Sequence, residues 1–184
     1  MTAPIQRYTP GRHPFPPGPL TPPPADGIVA GRMLDRFYHY TFLDGRLVGT
    51  EHPDLPGRPV QIAERLVREL GVRTRITLTP LCRQFGIPGL AEHHVPMGDR
   101  PTRADVARAV ELVRTSLAGG GAVWVHCQHG IDRTGCVIGS YLAAAGRPPE
   151  AVVAELFGRF PERRRHPRMV ELWRPYADMI RSFA

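Results

Sequence analysis

At 184 residues and 42% hydrophobic content, the chain can bury one core of ordinary size and is too short for several such domains. No stretch approaches about 18 apolar residues, which argues against a membrane-spanning helix, and three cysteines (Cys82, Cys127, Cys136) are too few and too unevenly spaced for a disulfide scaffold or a zinc site. The net charge is +7 and all 24 basic residues are Arg; without Lys, beside abundant Ala, Gly and Pro, this reads as codon bias of a GC-rich genome, with an acidic or RNA partner as the alternative.

Met1-Thr2-Ala3-Pro4 lacks the basic-then-apolar layout of a signal peptide, so a soluble protein of the reducing cytoplasm, without membrane insertion, is expected. Residues 1–26 hold nine prolines and almost no periodic apolar positions, too little surface to offset the entropy of ordering. A disordered or extended, polyproline-like arm is expected there. It is either a plain tail or, through Pro16-Pro17-Gly18-Pro19 and Pro22-Pro23-Pro24, a partner-binding segment. The folded domain is expected over residues 27–184.

Two β-like runs, Tyr38–Leu43 and Arg46–Thr50, flank Asp44-Gly45, a hairpin signal. Pro59 starts a helix with Ile62, Ala63, Leu66, Val67 and Leu70 on one face, ended by Gly71. Val72–Thr79 then alternates Val72, Thr74, Ile76 and Leu78 against Arg73, Arg75 and Thr77, as a strand does. Residues 80–91 show little periodicity and read as a loop. His93, His94 and Val95 read as a short strand entering Pro96-Met97-Gly98-Asp99-Arg100-Pro101. Adjacent strand residues face apart and nothing nearby has ligand spacing, so the histidine pair is not expected to hold a metal.

Thr102 caps the next helix, with Asp105 completing a capping box and Val106, Val110, Val113 and Leu117 on one face. Gly119-Gly120-Gly121 breaks it. Ala122-Val123-Trp124-Val125 is apolar without alternation, as in a strand buried on both faces of a parallel sheet. A helix with Val137, Ile138, Tyr141, Leu142 and Ala145 follows and stops at Gly146; Pro148-Pro149-Glu150 opens another that ends at Gly158. The last pattern, Met169, Leu172, Trp173, Tyr176, Ile180 and Phe183, contains Pro175, where a kink is expected. Arg163-Arg164-Arg165-His166 reads as a solvated connector or a docking patch for anionic partners. Helices and strands alternate, so the fold class expected is α/β, with a central, mostly parallel sheet of about four to five strands flanked by helices.

Between the apolar strand and its helix lies His126-Cys127-Gln128-His129-Gly130-Ile131-Asp132-Arg133-Thr134-Gly135, which fits H-C-x5-R-T-G. The strand delivers Cys127 to its C-terminal end, where open α/β sheets place their ligand sites. A loop entering a helix N-terminus aims backbone N–H groups at one spot, so Gln128, His129, Gly130, Ile131 and Asp132 could cradle a dianionic phosphate. Those groups, with Arg133, would favour thiolate over thiol and make Cys127 a nucleophile. The planar fork of Arg133 suits two equatorial phosphoryl oxygens, and Thr134 can hydrogen-bond the sulfur as it leaves. His126 is expected to orient the loop rather than act as a base, and Gly130 to supply a left-handed turn.

These residues resemble the phosphate loop of the cysteine-dependent protein tyrosine phosphatase superfamily, in its dual-specificity branch. The resemblance is strongest over residues 122–146 and weaker from about residue 36 to 160. It implies a phosphatase-like α/β fold with a P-loop between the central strand and a helix, and a two-step reaction through a phosphocysteine that needs no metal or other cofactor. Carried over by motif, Cys127 is the nucleophile, Arg133 the phosphate-binding residue and Thr134 the hydroxyl that assists the thiolate. Met97-Gly98-Asp99-Arg100-Pro101 resembles the mobile acid loop of the branch, in which an Asp precedes a Pro, although the loop here lacks a Trp. Asp99, 28 residues before Cys127, is therefore the first choice of general acid. Asp132 is the second, expected to hydrogen-bond outward, and Asp105 is explained as a cap. Cys82 follows a strand ahead of the acid loop, a placement similar to the lipid-phosphatase branch, where a Cys forms a reversible disulfide with the nucleophile; the alternative is that it fills a loop core.

The partner expected is a phosphorylated protein or another phosphomonoester. Dual specificity is as compatible with the sequence as tyrosine preference. An RNA 5′-triphosphatase is the runner-up, because Cys-x-His-Gly-x-x-Arg-Thr-Gly also resembles metazoan capping enzymes; nucleic acid is nevertheless not favoured. A phosphoinositide phosphatase comes third, since that branch usually carries Lys in the loop where Gln128, Ile131 and Asp132 stand. An inactive phosphoprotein-binding module, the reading from another class, is opposed by the presence of Cys127, Arg133, Thr134 and Asp99.

Overall fold

The computed structural model describes residues 31–34, 37–43, 45–53, 59–82, 84–158 and 167–184. The Pro-rich arm, Asp44 of the hairpin and the Arg163–His166 run lie outside them. Six strands form one sheet: β1 (Gly31–Leu34), β2 (Phe37–Phe42), β3 (Leu47–Thr50), β4 (Val72–Thr77), β5 (Ala91–His94) and β6 (Ala122–His126), in the order β1-β2-β3-β6-β4-β5. Among the described residues five helices accompany them: α1 (Pro59–Leu70), α2 (Arg103–Ala118), α3 (Asp132–Ala144), α4 (Pro149–Gly158) and α5 (Pro167–Arg181). Strands β3, β6, β4 and β5 run parallel, and β1 and β2 add an antiparallel edge. The sheet is thus mostly parallel, and the strand not foreseen is β1.

The expected hairpin is β2–β3, paired from His39↔Thr50 to Phe42↔Leu47. Its turn closes with Arg46 N–H donating to the Leu43 carbonyl, and Gly45 takes φ +84°, open to glycine at little cost. Opposite Tyr40 the partner is Gly49, and the ring lies over the glycine where any Cβ would collide with it. The Thr102–Asp105 capping box is present on α2. At the end of α3, Gly146 (φ +92°) donates to Ala143 and Arg147 to Leu142, so two terminal carbonyls are satisfied in a Schellman arrangement. α5 runs through Pro175, the position of the expected kink.

Both faces of the sheet are covered. Val123 and Val125 join a large core with α2, α3, α4 and α5, whereas Ala122 and Trp124 join Ile62, Ala63 and Leu66 of α1 in a second. From Thr74 onward the alternation in β4 therefore separates two buried faces rather than core from water, whereas Arg73 is exposed and Val72, ahead of a register shift, joins the α1 side instead of Ile76 and Leu78. Arg75 and Thr77, which the pattern sets opposite the apolar set, are buried beside Trp124 and His126. The strand also ends at Thr77, two residues sooner than expected. Beyond it Leu78 N–H donates to the His126 carbonyl, and Thr79 Oγ1 turns to the Leu81 carbonyl 2.6 Å away. Among the described residues no helix is long and apolar enough to cross a membrane.

Candidate active site

Cys127 lies at the C-terminal end of β6, the strand flanked by β3 and β4, and is 2% exposed. The chain then turns through Gln128-His129-Gly130-Ile131 into α3, whose first-turn bond runs from Gly135 N–H to the Ile131 carbonyl at 2.8 Å. The curl depends on Gly130. It has φ +68°, and a Cβ there would collide with backbone atoms of Thr50 and Glu51 at the end of β3. His52 N–H donates to the Gln128 carbonyl at 3.2 Å, tying the same strand end to the loop. No side chain caps the start of α3, so its first N–H groups remain available to an anion on the loop side.

Gln128 and His129 are exposed at the rim, whereas Gly130 and Ile131 are buried. Arg133 Nη1 donates to the Met97 carbonyl at 3.0 Å, and Nη2 stands 4.0 Å from Asp99 Oδ1. The guanidinium is only 12% exposed while the Asp99 side chain is 99% exposed. An ion pair so open to water contributes little by itself; its interest is that the carboxylate and Arg133 share one mouth. Thr134 is fully buried, and its hydroxyl has no hydrogen-bond partner among the described residues. Asp132 instead faces α5, accepting from Trp173 Nε1 at 3.0 Å. The structure therefore brings Cys127, Arg133, Thr134 and Asp99 around one loop.

The other two cysteines differ from Cys127 in place. Cys136, inside α3, is fully buried, and burial pushes its thiol up to about 12. Cys82 is free and half-buried in the segment after β4.

His126 is fully buried. Its Nε2 accepts from Arg75 Nε at 2.9 Å and lies 2.9 Å from Thr77 Oγ1, and its ring meets His52 edge-on at 5.1 Å. Burial first, then the Arg75 guanidinium and His52, hold its imidazole well below the usual range, so it is neutral at physiological pH.

Two contributors were not legible in the sequence. Tyr176 on α5 donates its hydroxyl to the Asp99 carbonyl, and burial, with the Asp132 charge adding and Arg133 opposing, pushes that hydroxyl up to about 12. It is thus a permanent donor on the acid loop, 77 residues away in sequence. The other is Arg75, whose one sequence signal is a charge inside a strand next to a loop with catalytic residue types.

Among solved structures, TpbA of P. aeruginosa superposes with a TM-score of 0.58 at 20% identity, over 79% of this chain and 83% of that one. Human DUSP28 gives 0.56 at 20%, covering 76% and 94%, and PTPMT1 gives 0.53 at 21%, covering 75% and 93%. These likenesses concern the fold. The model of the family described as "polymorphic toxin system, DSP-PTPase phosphatase" matches residues 54–147, just over half of the chain, including β4, the acid loop and the entire phosphate loop. With Cys127 and Arg133 around that loop, the chain belongs to this family of dual-specificity-type, cysteine-dependent phosphatases.

Proposed function

We propose that this phosphatase hydrolyses phosphomonoesters through a phosphocysteine on Cys127, with phosphotyrosine in proteins as its preferred substrate. Cys127 Sγ attacks phosphorus, and the P–O bond to the leaving group breaks. Asp99 gives its proton to the departing oxygen, while Arg133 and the loop N–H groups hold the three equatorial oxygens. In the second step water attacks phosphorus, its proton passes to Asp99, and the P–S bond breaks to return the thiolate and inorganic phosphate. Thr134, buried with an unused hydroxyl, donates to sulfur as it leaves. Because Asp99 stands in solvent, the acid loop must draw in over bound substrate before the first step.

The observation that carries the reading is the grouping of Cys127, the uncapped start of α3 and Arg133, with Asp99 4.0 Å from that guanidinium. A TpbA structure holds pTyr and a PTPMT1 structure holds PI(5)P. The test measures phosphate release from phosphotyrosine peptide, phosphoserine peptide, phosphoinositide and 5′-triphosphorylated RNA side by side, with Cys127→Ser as the control. Phosphotyrosine is expected to give the highest kcat/KM, and Cys127→Ser to bind without turnover. Faster γ-phosphate release from RNA would promote the triphosphatase reading, and substantial turnover by Cys127→Ser would end the covalent mechanism. Cys82 is proposed as the resolving partner of Cys127 under peroxide; if no Cys82–Cys127 linked peptide forms in peroxide-inactivated protein, that role is lost.

A further inference from the structure

Arg75 is not among the groups assigned to the reaction, yet it is buried with polar partners on both sides, His126 and Glu92. It is 0% exposed in the middle of β4, its guanidinium 4.0 Å from the centroid of Phe85 and 5.3 Å from that of Trp124. Nη1 pairs with Glu92 Oε1 at 2.7 Å, and both oxygens of that carboxylate also accept from Phe85 N–H at 3.0 Å. A buried ion pair gains little stability over apolar side chains of the same volume, because desolvating both ions cancels most of their attraction. An aliphatic residue would fill the space against the two rings. What it would not supply is the N–H directed at His126, the residue before Cys127.

That N–H determines where the imidazole proton sits. Arginine nitrogens only donate, so His126 Nε2, 2.9 Å from Arg75 Nε, accepts and carries no proton. The proton of the neutral ring is then on Nδ1, which is buried and without a hydrogen-bond partner among the described residues. We infer that Arg75, paired with Glu92, is a positioning residue for the phosphatase loop: it holds His126 as the neutral Nδ1–H tautomer and so fixes the end of β6 from which Cys127 projects. The effect on rate rests on the phosphocysteine reading, whereas the tautomer does not.

The hydrogen-bond and ring partners of His126 are cationic or neutral. From β4 come the Arg75 cation and the Thr77 hydroxyl, from the segment after β3 the His52 ring, and from its own strand the Trp124 ring at 5.0 Å. Glu92 of β5 is engaged by Arg75 and by backbone N–H groups, and Cys127, the nucleophile, follows His126 in the chain. No carboxylate is among these hydrogen-bond and ring partners of His126, and burial, the Arg75 cation and His52 hold its pKa well below the usual range.

The primary test is nitrogen NMR of the histidine rings in the unaltered full chain, with His126→Asn to assign the signal. His126 should show a protonated Nδ1 and an unprotonated Nε2, unchanged from about pH 5.5 to about pH 8. A proton on Nε2, or titration inside that range, would overturn the inference. The second test compares the parent with Arg75→Met/Glu92→Gln, which removes both charges together, and with Arg75→Lys, which keeps a charge but lacks the Nε–H. For p-nitrophenyl phosphate we expect kcat to fall roughly tenfold to a hundredfold with KM little changed. The kcat/KM profile should also gain an ionisation near the ordinary imidazole value of about 6.5. A lower Tm with unchanged kcat and unchanged profile would mean that Arg75 only fills space, and would likewise overturn it. If the double variant does not fold, the parent's nitrogen spectrum still decides. If the parent releases phosphate from no ester, the proposed function fails while the spectrum still answers the tautomer.

Discussion

At position 130 the absence of a methyl group lets the loop close. Gly130 combines φ +68° with backbone of Thr50 and Glu51 where its Cβ would stand, and backbone, unlike a side-chain tip, has no rotamer to yield with. Gly130→Ala should therefore lower Tm by roughly 5–10 °C and remove most turnover; calorimetry and a p-nitrophenyl phosphate assay check it, and a variant with parental Tm and kcat would show that the loop can close by another route. Asp99 calls for a different measurement, because its role is the proton. Asp99→Asn should slow phosphotyrosine peptide about 10²–10⁴-fold. The same variant should slow p-nitrophenyl phosphate far less, since that leaving group needs little protonation. Equal losses on both esters would move the acid to Asp132, whose carboxylate is engaged by Trp173.

At the scale of elements, α5 connects the two halves of the chemistry. Trp173 holds Asp132 at the start of α3, and Tyr176 one turn further holds the Asp99 carbonyl on the acid loop. Trp173 also stacks on Phe157 of α4 at 5.3 Å, and Ile180 packs where Gly139 leaves room on α3, so the helix is seated by its apolar face. Tyr176→Phe deletes one hydroxyl and keeps that face. It should cost about 1 kcal/mol of stability and lower kcat on phosphotyrosine severalfold with KM nearly unchanged, because the acid loop loses its tether and not the phosphate cradle. Steady-state kinetics of the two proteins decide it; identical kcat values would show that the tether is idle. The apolar period of α5 was legible from Met169 to Phe183, since a helix face repeats locally. Its partners were not, because they are set by packing between segments tens of residues apart.

Over the whole molecule, local signals are legible in the sequence and shared burial is not. The Asp44-Gly45 turn, the Thr102 cap and the Gly146 stop each act within a few residues, and the hairpin, α2 and α3 follow them. The phosphate-loop residues were legible because their spacing is itself the chemistry. The sequence pattern sets Arg75 opposite the apolar side of β4, since alternation identifies faces without saying whether both are covered; only the packing of α1 and Phe85 over the far face shows that both are. That buried polar layer has a consequence for global stability. His126 is neutral in the folded protein and resists protonation, whereas in the unfolded chain it titrates near 6.5. Below that value the unfolded chain binds a proton that the folded one refuses, so stability is complete above about pH 7 and falls with decreasing pH by about 1.4 kcal/mol per unit. The carboxylates Glu111 and Glu150 have depressed values relative to 4.5 but are exposed, and their protonation destabilises only at more acid pH, outside this window. Urea unfolding of the parent and of His126→Asn at intervals from about pH 7 to about pH 5 should therefore give curves whose difference has the slope of one proton. Parallel curves would mean that His126 takes up its proton in the folded state, and that the layer of Arg75, Thr77 and His52 does not hold it neutral.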